Sequence, residues 1–186
     1  MRKLFFTILF LITITFNGQS IEKKNNNSEK QKVVATFREI YWNNLPKPKG
    51  WVNDYEGIFS DNEERKLDSI ITNFEKETSI EIAVVTIDTI KVAKENFDDL
   101  SLHIAKTWAF GKKGKDNGIL ISFSKGYKKF RVELGDGTIK MLSEHETKEI
   151  IENDFIPKFL KGNYYQGMLD GIMKIIENLR AKIKKE

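Results

Sequence analysis

A chain of 186 residues, 40% hydrophobic and 31% charged, is long enough to bury one core without covalent staples and has the composition of a globular protein. It has no cysteine, which excludes disulfides, thiolate metal sites, thiol catalysis and a lipidated N-terminal cysteine. Net charge is +4 with acids and bases interspersed, so there is no clustered basic face and no nucleic-acid partner is expected.

In chain order, Arg2 and Lys3 precede an apolar stretch of 13 residues, Leu4 to Phe16, followed by the small residues Gly18 and Ser20. This is a signal-peptide pattern over residues 1–20, and the run is short of the roughly 20 apolar residues that span a bilayer. It implies a periplasmic or secreted chain with no transmembrane helix after cleavage. Residues 21–44 read as a polar linker and N-terminal extension. Ile21 to Lys32 is Asn-rich and aperiodic, the pattern of a disordered tether, and Tyr41 and Trp42 are placed to pack on the domain. Pro46 and Pro48 hold an extended approach, so the domain is set at residues 45–183.

Ser60 and Glu63 form a capping box, and Leu67, Ile70, Ile71 and Phe74 follow on one helical face. "SIEIAVVTID" is β-branched and apolar at its centre, a buried strand. Phe97, Leu100, Ile104 and Trp108 mark a second amphipathic helix. "GILISFS" and "FRVELG" are strands joined by the turn "KGYKK". Ser143 and Glu146 cap a helix that runs to about Asn153, and Pro157 interrupts the pattern. A last helix carries Met168, Leu169, Ile172, Ile175, Ile176 and Leu179. The first strand reaches the second through a helix, which predicts a parallel pair with a right-handed crossover; the next two strands form a hairpin. The fold class is therefore α/β: a three-layer α/β/α sandwich with a small mixed sheet and helices on both faces.

The loop "GKKGKDNG" (Gly111 to Gly118) runs from a helix into a strand, the reverse of a P-loop, and has no Gly-Lys-Ser/Thr. Gly111 reads as a helix C-terminal cap and Asn117-Gly118 as a turn into the strand. "LGDGTIK" resembles the D-x-D-G-T motif of aspartyl-phosphate enzymes, but Leu134 stands where the nucleophile would be. His103 and His145 are the only histidines and no G-x-S-x-G elbow exists, so a serine triad is not expected. Acids do gather where loops meet strand ends: Asp54, Asp116 with Asn117, Asp136, and Glu144 at the start of a helix. Hairpin pairing brings Asp116 near Asp136. Hard oxygen donors on separate loops suit Ca²⁺, and Mg²⁺ less well; taken singly, each of these acids also reads as a turn or cap residue.

The ordered pieces "VNDYEGIFSDNEERKL", "EIAVVTI", "WAFGKKGKDNGILISFS", "KKFRVELGDG" and "IIENDFIPKFLKGNYYQGMLDGI" resemble the TPM domain family from about Gly50 to Leu179. The most specific parts are the W-x-x-G-x-K-x-x-x-N-G-x-L run from Trp108 and the P-x-F-x-x-G-x-Y-x-x-G run from Pro157. The resemblance implies an α/β/α sandwich and divalent-cation binding, often calcium, at the loops carrying Asp54 and Asp116-Asn117. Some members are credited with acid phosphatase activity, and others act as accessory or assembly factors for membrane complexes. Where the family has G-Y-G-x-E, this chain has Gly135-Asp136-Gly137-Thr138-Ile139, so Ile139 replaces a glutamate; Glu144 matches a later family acid. The expectation is a monomeric exported domain that binds a divalent cation and supports an envelope or membrane protein. A metal-dependent acid phosphatase and a structural domain without an ion are the alternatives.

Overall fold

A computed structural model describes residues 15–184, with backbone alone for residues 15–26. A long helix, α1 (Thr15–Asn43), leads into β1 (Val52–Asp54), α2 (Asp61–Thr78), β2 (Glu81–Thr86) and α3 (Phe97–Trp108). The hairpin β3 (Gly118–Ser124) and β4 (Lys129–Leu134) follows, then a short α4 (Asp136–Ile139), α5 (Glu144–Ile150), a π-helical turn (Ile151–Phe155), α6 (Ile156–Phe159) and α7 (Tyr164–Ile183). The sheet order is β1-β2-β3-β4; β1–β2 and β2–β3 are parallel and β3–β4 antiparallel. This is the mixed sheet the sequence predicts, with β1 added. The strand "VND" is three residues long and carries no alternation to announce it.

Burial on both faces explains the near-continuous apolar runs of β2 and β3. Ile82, Val84, Ile119 and Ile121 pack with Leu67, Ile71 and Phe74 of α2 and with Met168, Ile172 and Ile176 of α7. Ala83, Val85, Ile87 and Leu120 meet Phe97, Leu100 and Ile104 of α3 on the opposite face, giving three layers. One polar pair lies within that second layer: Ser101 Oγ donates to Ser122 Oγ at 2.8 Å, and both residues are fully buried. The capping boxes at Ser60 and Ser143 form as the sequence predicts. Pro157 cannot donate a helical N–H, and the helix answers with the π-helical turn immediately before it.

Two expectations are corrected. Residues 21–32 belong to α1 and form no disordered tether. Between Ile21 and Asn44 there is no Gly or Pro, and Lys, Glu and Gln propagate a helix without needing an apolar face. Its C-terminal end is anchored: Tyr41 enters the α3-side core, Trp42 stacks on His103 with ring centroids 4.3 Å apart, and Arg38 Nη2 donates to Thr89 O at 3.0 Å. The second correction concerns Gly111. Ala109, with φ 52°, caps α3, its N–H donating to Ala105 O. The signal-peptide reading falls mostly on residues 1–14, outside the described residues. Among the described residues no helix is long and apolar enough to cross a membrane.

Candidate functional site

The predicted acids fall at two opposite ends of the sheet. Asp54 closes β1 and is paired with Thr86, which is paired with Phe123 near the end of β3; Glu81 is paired with Gly118 at the start of β3. Five strand steps separate Gly118 from Phe123, about 17 Å at strand rise, and Asp116 lies further still. Calcium–oxygen contacts are about 2.3–2.6 Å. Asp54 therefore cannot share an ion with Asp116 or Asn117.

At the N-terminal end of β3, the glycine-rich loop is a crossing of backbones. A Cβ on Gly111 would lie 2.7 Å from Gly118 N, and one on Gly118 would strike the carbonyl of Phe110. Asn117 is 5% exposed and its amide is spent internally: Nδ2 donates to Ser79 O at 2.8 Å and Oδ1 accepts from Lys112 N at 2.8 Å. Glu81 accepts from Gly111 N at 2.7 Å, and the Lys112 ammonium sits between Glu81 and Glu75 at 2.9 and 2.7 Å. Glu75 and Glu81 raise the Lys112 pKa. Asp116 takes the left-handed conformation, φ 47°, which Asp tolerates better than most residues; its carbonyl accepts from Gly137 N at 3.0 Å. The hairpin does bring the Asp136 segment against it, as expected, and both side chains are exposed. Glu144 is an exposed residue in the first turn of α5.

At the other end, the C-terminal edge of the parallel strands carries a more organised group. Asp54 Oδ1 accepts from Thr86 Oγ1 at 2.5 Å and Oδ2 from Phe59 N at 2.7 Å, which shapes the β1–α2 turn. Thr86 Oγ1 accepts from Glu56 N at 2.9 Å. The Glu56 carboxylate reaches across to the β3–β4 turn, accepting from Lys125 N at 2.8 Å and Gly126 N at 3.3 Å. Asp88, two residues beyond β2, accepts from Ile90 N at 2.9 Å. Burial pushes the Glu56 pKa up; the two backbone donors pull it down, and the charges of Asp88 and Asp54 push it up again. Glu64, facing the same end from α2, is raised by burial and by Asp54, Asp61 and Asp68. None of Asp54, Glu56 and Asp88 forms an ion pair among the described residues.

As donors, these carboxylates and the Thr86 hydroxyl have the chemistry of a hard-cation site, at the strand ends where open α/β sheets place ligands. What they lack is convergence: among the described residues, no three acidic or histidine side chains come together as a cage. The sequence reading found Asp54 and missed Glu56, Thr86 and Asp88. The signal was present in "NDYE" and in "VVTID", where polar residues end two apolar strands at the same edge. The histidines serve elsewhere: His103 stacks on Trp42, and His145 is exposed, 3.6 Å from Glu149.

The family model described as TPM domain matches residues 52–178. The N-terminal domain of a P. gingivalis protein has a similar solution structure, at 27% identity and TM-score 0.65, covering 72% of this chain and 84% of that one. The BA42 protein of the psychrophile Bizionia argentinensis is similar at 25% identity and TM-score 0.58, over 69% of this chain and 86% of that one. The N-terminal domain of a Corynebacterium glutamicum protein shares the fold alone, at 11% identity and TM-score 0.53, over 72% and 82% of the two chains. A search of the curated proteins finds no match.

Proposed function

The chain belongs to the TPM domain family, and on that premise we propose that it is an exported accessory module for an envelope protein that takes a divalent cation at the C-terminal edge of β1 and β2. The observation that carries this is Glu56. Its carboxylate is half-buried beside Asp54 and Asp88, raised by burial and by their charges, and without an ion pair. A divalent cation would relieve that repulsion, with further oxygens from backbone carbonyls and water. Calcium suits irregular carboxylate sets on loops, whereas magnesium demands a near-ideal octahedron. Export is supported by the pattern of residues 1–20.

The test is a thermal melt of the chelator-treated full chain against calcium, with magnesium as control. A ligand that binds only the folded state adds about 2.7 kcal/mol at a hundredfold excess over Kd. The expected result is a saturable rise in Tm with calcium, lost in Glu56→Gln and kept in Asp116→Ala. Metal-free Glu56→Gln is expected to melt above the metal-free parent at pH 7, because it removes a repelled charge. A response lost in Asp116→Ala but kept in Glu56→Gln would move the ion to the other end of the sheet. No response at millimolar calcium would refute the cation. Calcium-dependent phosphomonoester turnover lost in Glu56→Gln would replace the accessory role with the phosphatase alternative.

A further inference from the structure

β4 is the last strand of the sheet, and no strand lies beyond it among the described residues. The phase of its ladder follows from two bonds. Phe123 O accepts from Ile87 N, so Ile119, Ile121 and Phe123 turn their peptide groups toward β2; Gly135 N donates to Gly118 O, so the even residues of β3 face β4. Lys129, Arg131 and Glu133 therefore bond to β3. The N–H and C=O groups of Phe130, Val132 and Leu134 point outward, and none meets a backbone partner among the described residues. An open edge of this length is a template for another strand.

The sequence of the edge restricts which strand. Lys129 and Arg131 on β4 discourage a chance apolar edge. Arg131 pairs with Glu133 on the α3 face of the same strand, with 41% and 13% of the two side chains exposed. The segment Phe130–Leu134 is self-complementary about Val132. Antiparallel pairing of two copies centred there sets Phe130 opposite Leu134 and Arg131 opposite Glu133, each twice by symmetry. Val132 faces its own copy and Phe130 faces Leu134 at hydrogen-bonded positions, where the outward groups already point. Arg131 and Glu133 then fall at the closer non-hydrogen-bonded positions, with Cα atoms about 4.5 Å apart. That is the isologous arrangement a two-fold axis requires.

We propose that β4 is the seam of a symmetric dimer, in which two copies of this chain join antiparallel about Val132 into one continuous eight-stranded sheet. This departs from the monomer expected from the sequence. Arg131 is at once the gate against unrelated edges and the recognition element for the chain's own Glu133.

The experiment is sedimentation equilibrium of the full chain over a concentration series, with circular dichroism to confirm folding. The parent is expected to reach the mass of two chains. Arg131→Glu and Glu133→Arg alone each set like charges opposite one another, so each is expected to associate at least about tenfold more weakly. An equimolar mixture of these two variants is expected to recover the two-chain mass, and so is the double variant, which also keeps the ion pair within its own strand should a single reversal impair folding. Val132→Pro deletes an outward N–H without touching the ladder to β3 and is expected to stay single. A parent that remains a single chain at every concentration overturns the proposal, as does an association unchanged by the single reversals or not restored by the mixture.

Discussion

Asp54 shows how one carboxylate can shape a loop before it serves any ligand. Its two oxygens hold Thr86 across the strand pair and Phe59 at the start of α2, so the β1–α2 turn has one geometry. In Asp54→Asn the amide presents an N–H to a donor at one of those positions and the negative charge is lost. Hydrogen bonds to charged groups contribute about 1.5–3 kcal/mol each. We expect a loss of that size in urea unfolding without metal, which separates the structural role of Asp54 from any cation. Asn117 is the complementary case. It read as a ligand because an amide next to an aspartate at a strand start has that chemistry. Its burial and its two internal partners reveal a staple between the α2–β2 junction and the loop after α3. No pattern of neighbours in sequence reveals that Ser79 and Lys112 will be there to meet it.

Among the elements, α1 is the least expected. It precedes the family-matched segment at residue 52 and docks on the domain through its final turns. Val34, Arg38 and Tyr41 are its more covered positions, spaced as one helical stripe. Tyr41 is 8% exposed, yet its hydroxyl has no hydrogen-bond partner, and burial followed by the neighbouring Tyr55 pushes its pKa up to about 12. A buried unpaired hydroxyl costs free energy, whereas the ring contributes to the core. Tyr41→Phe is therefore expected to unfold at equal or higher denaturant concentration than the parent. Tyr41→Ala is expected to lose about 3–5 kcal/mol if α1 docks as described. Equal losses in the two variants would mean that the hydroxyl has a partner.

For the whole molecule, α7 closes one layer of the sandwich and is tied at its end by charge. Arg180 bonds Glu77 of α2, and Lys182 meets Glu146 of α5 at 2.6 Å. Lys182, with the Ser143 cap behind it, depresses the Glu146 pKa from 4.5 to about 2. A depressed carboxylate stabilises the fold above its unfolded pKa and loses that contribution as the pH falls toward 2. Stability measured by urea is thus expected to fall between pH 4.5 and 2 by a smaller amount in Lys182→Met than in the parent. The difference should be at most about 1 kcal/mol, because both side chains reach solvent. Glu56 and Glu64, being raised, act with the opposite sign and favour the fold at low pH. Helices α2, α3, α5 and α7, the three longer strands, their parallel and antiparallel pairing and the capping boxes were legible from sequence alone, since periodicity and local caps are properties of neighbouring residues. Only the tertiary structure decided that Asp54 and Asp116 stand at opposite ends of the sheet, that Glu56 and Asp88 join Asp54, and that α1 packs on α3. Each of these depends on which strand ends share an edge and which side chains meet across it, and that is set by packing between segments far apart in the chain.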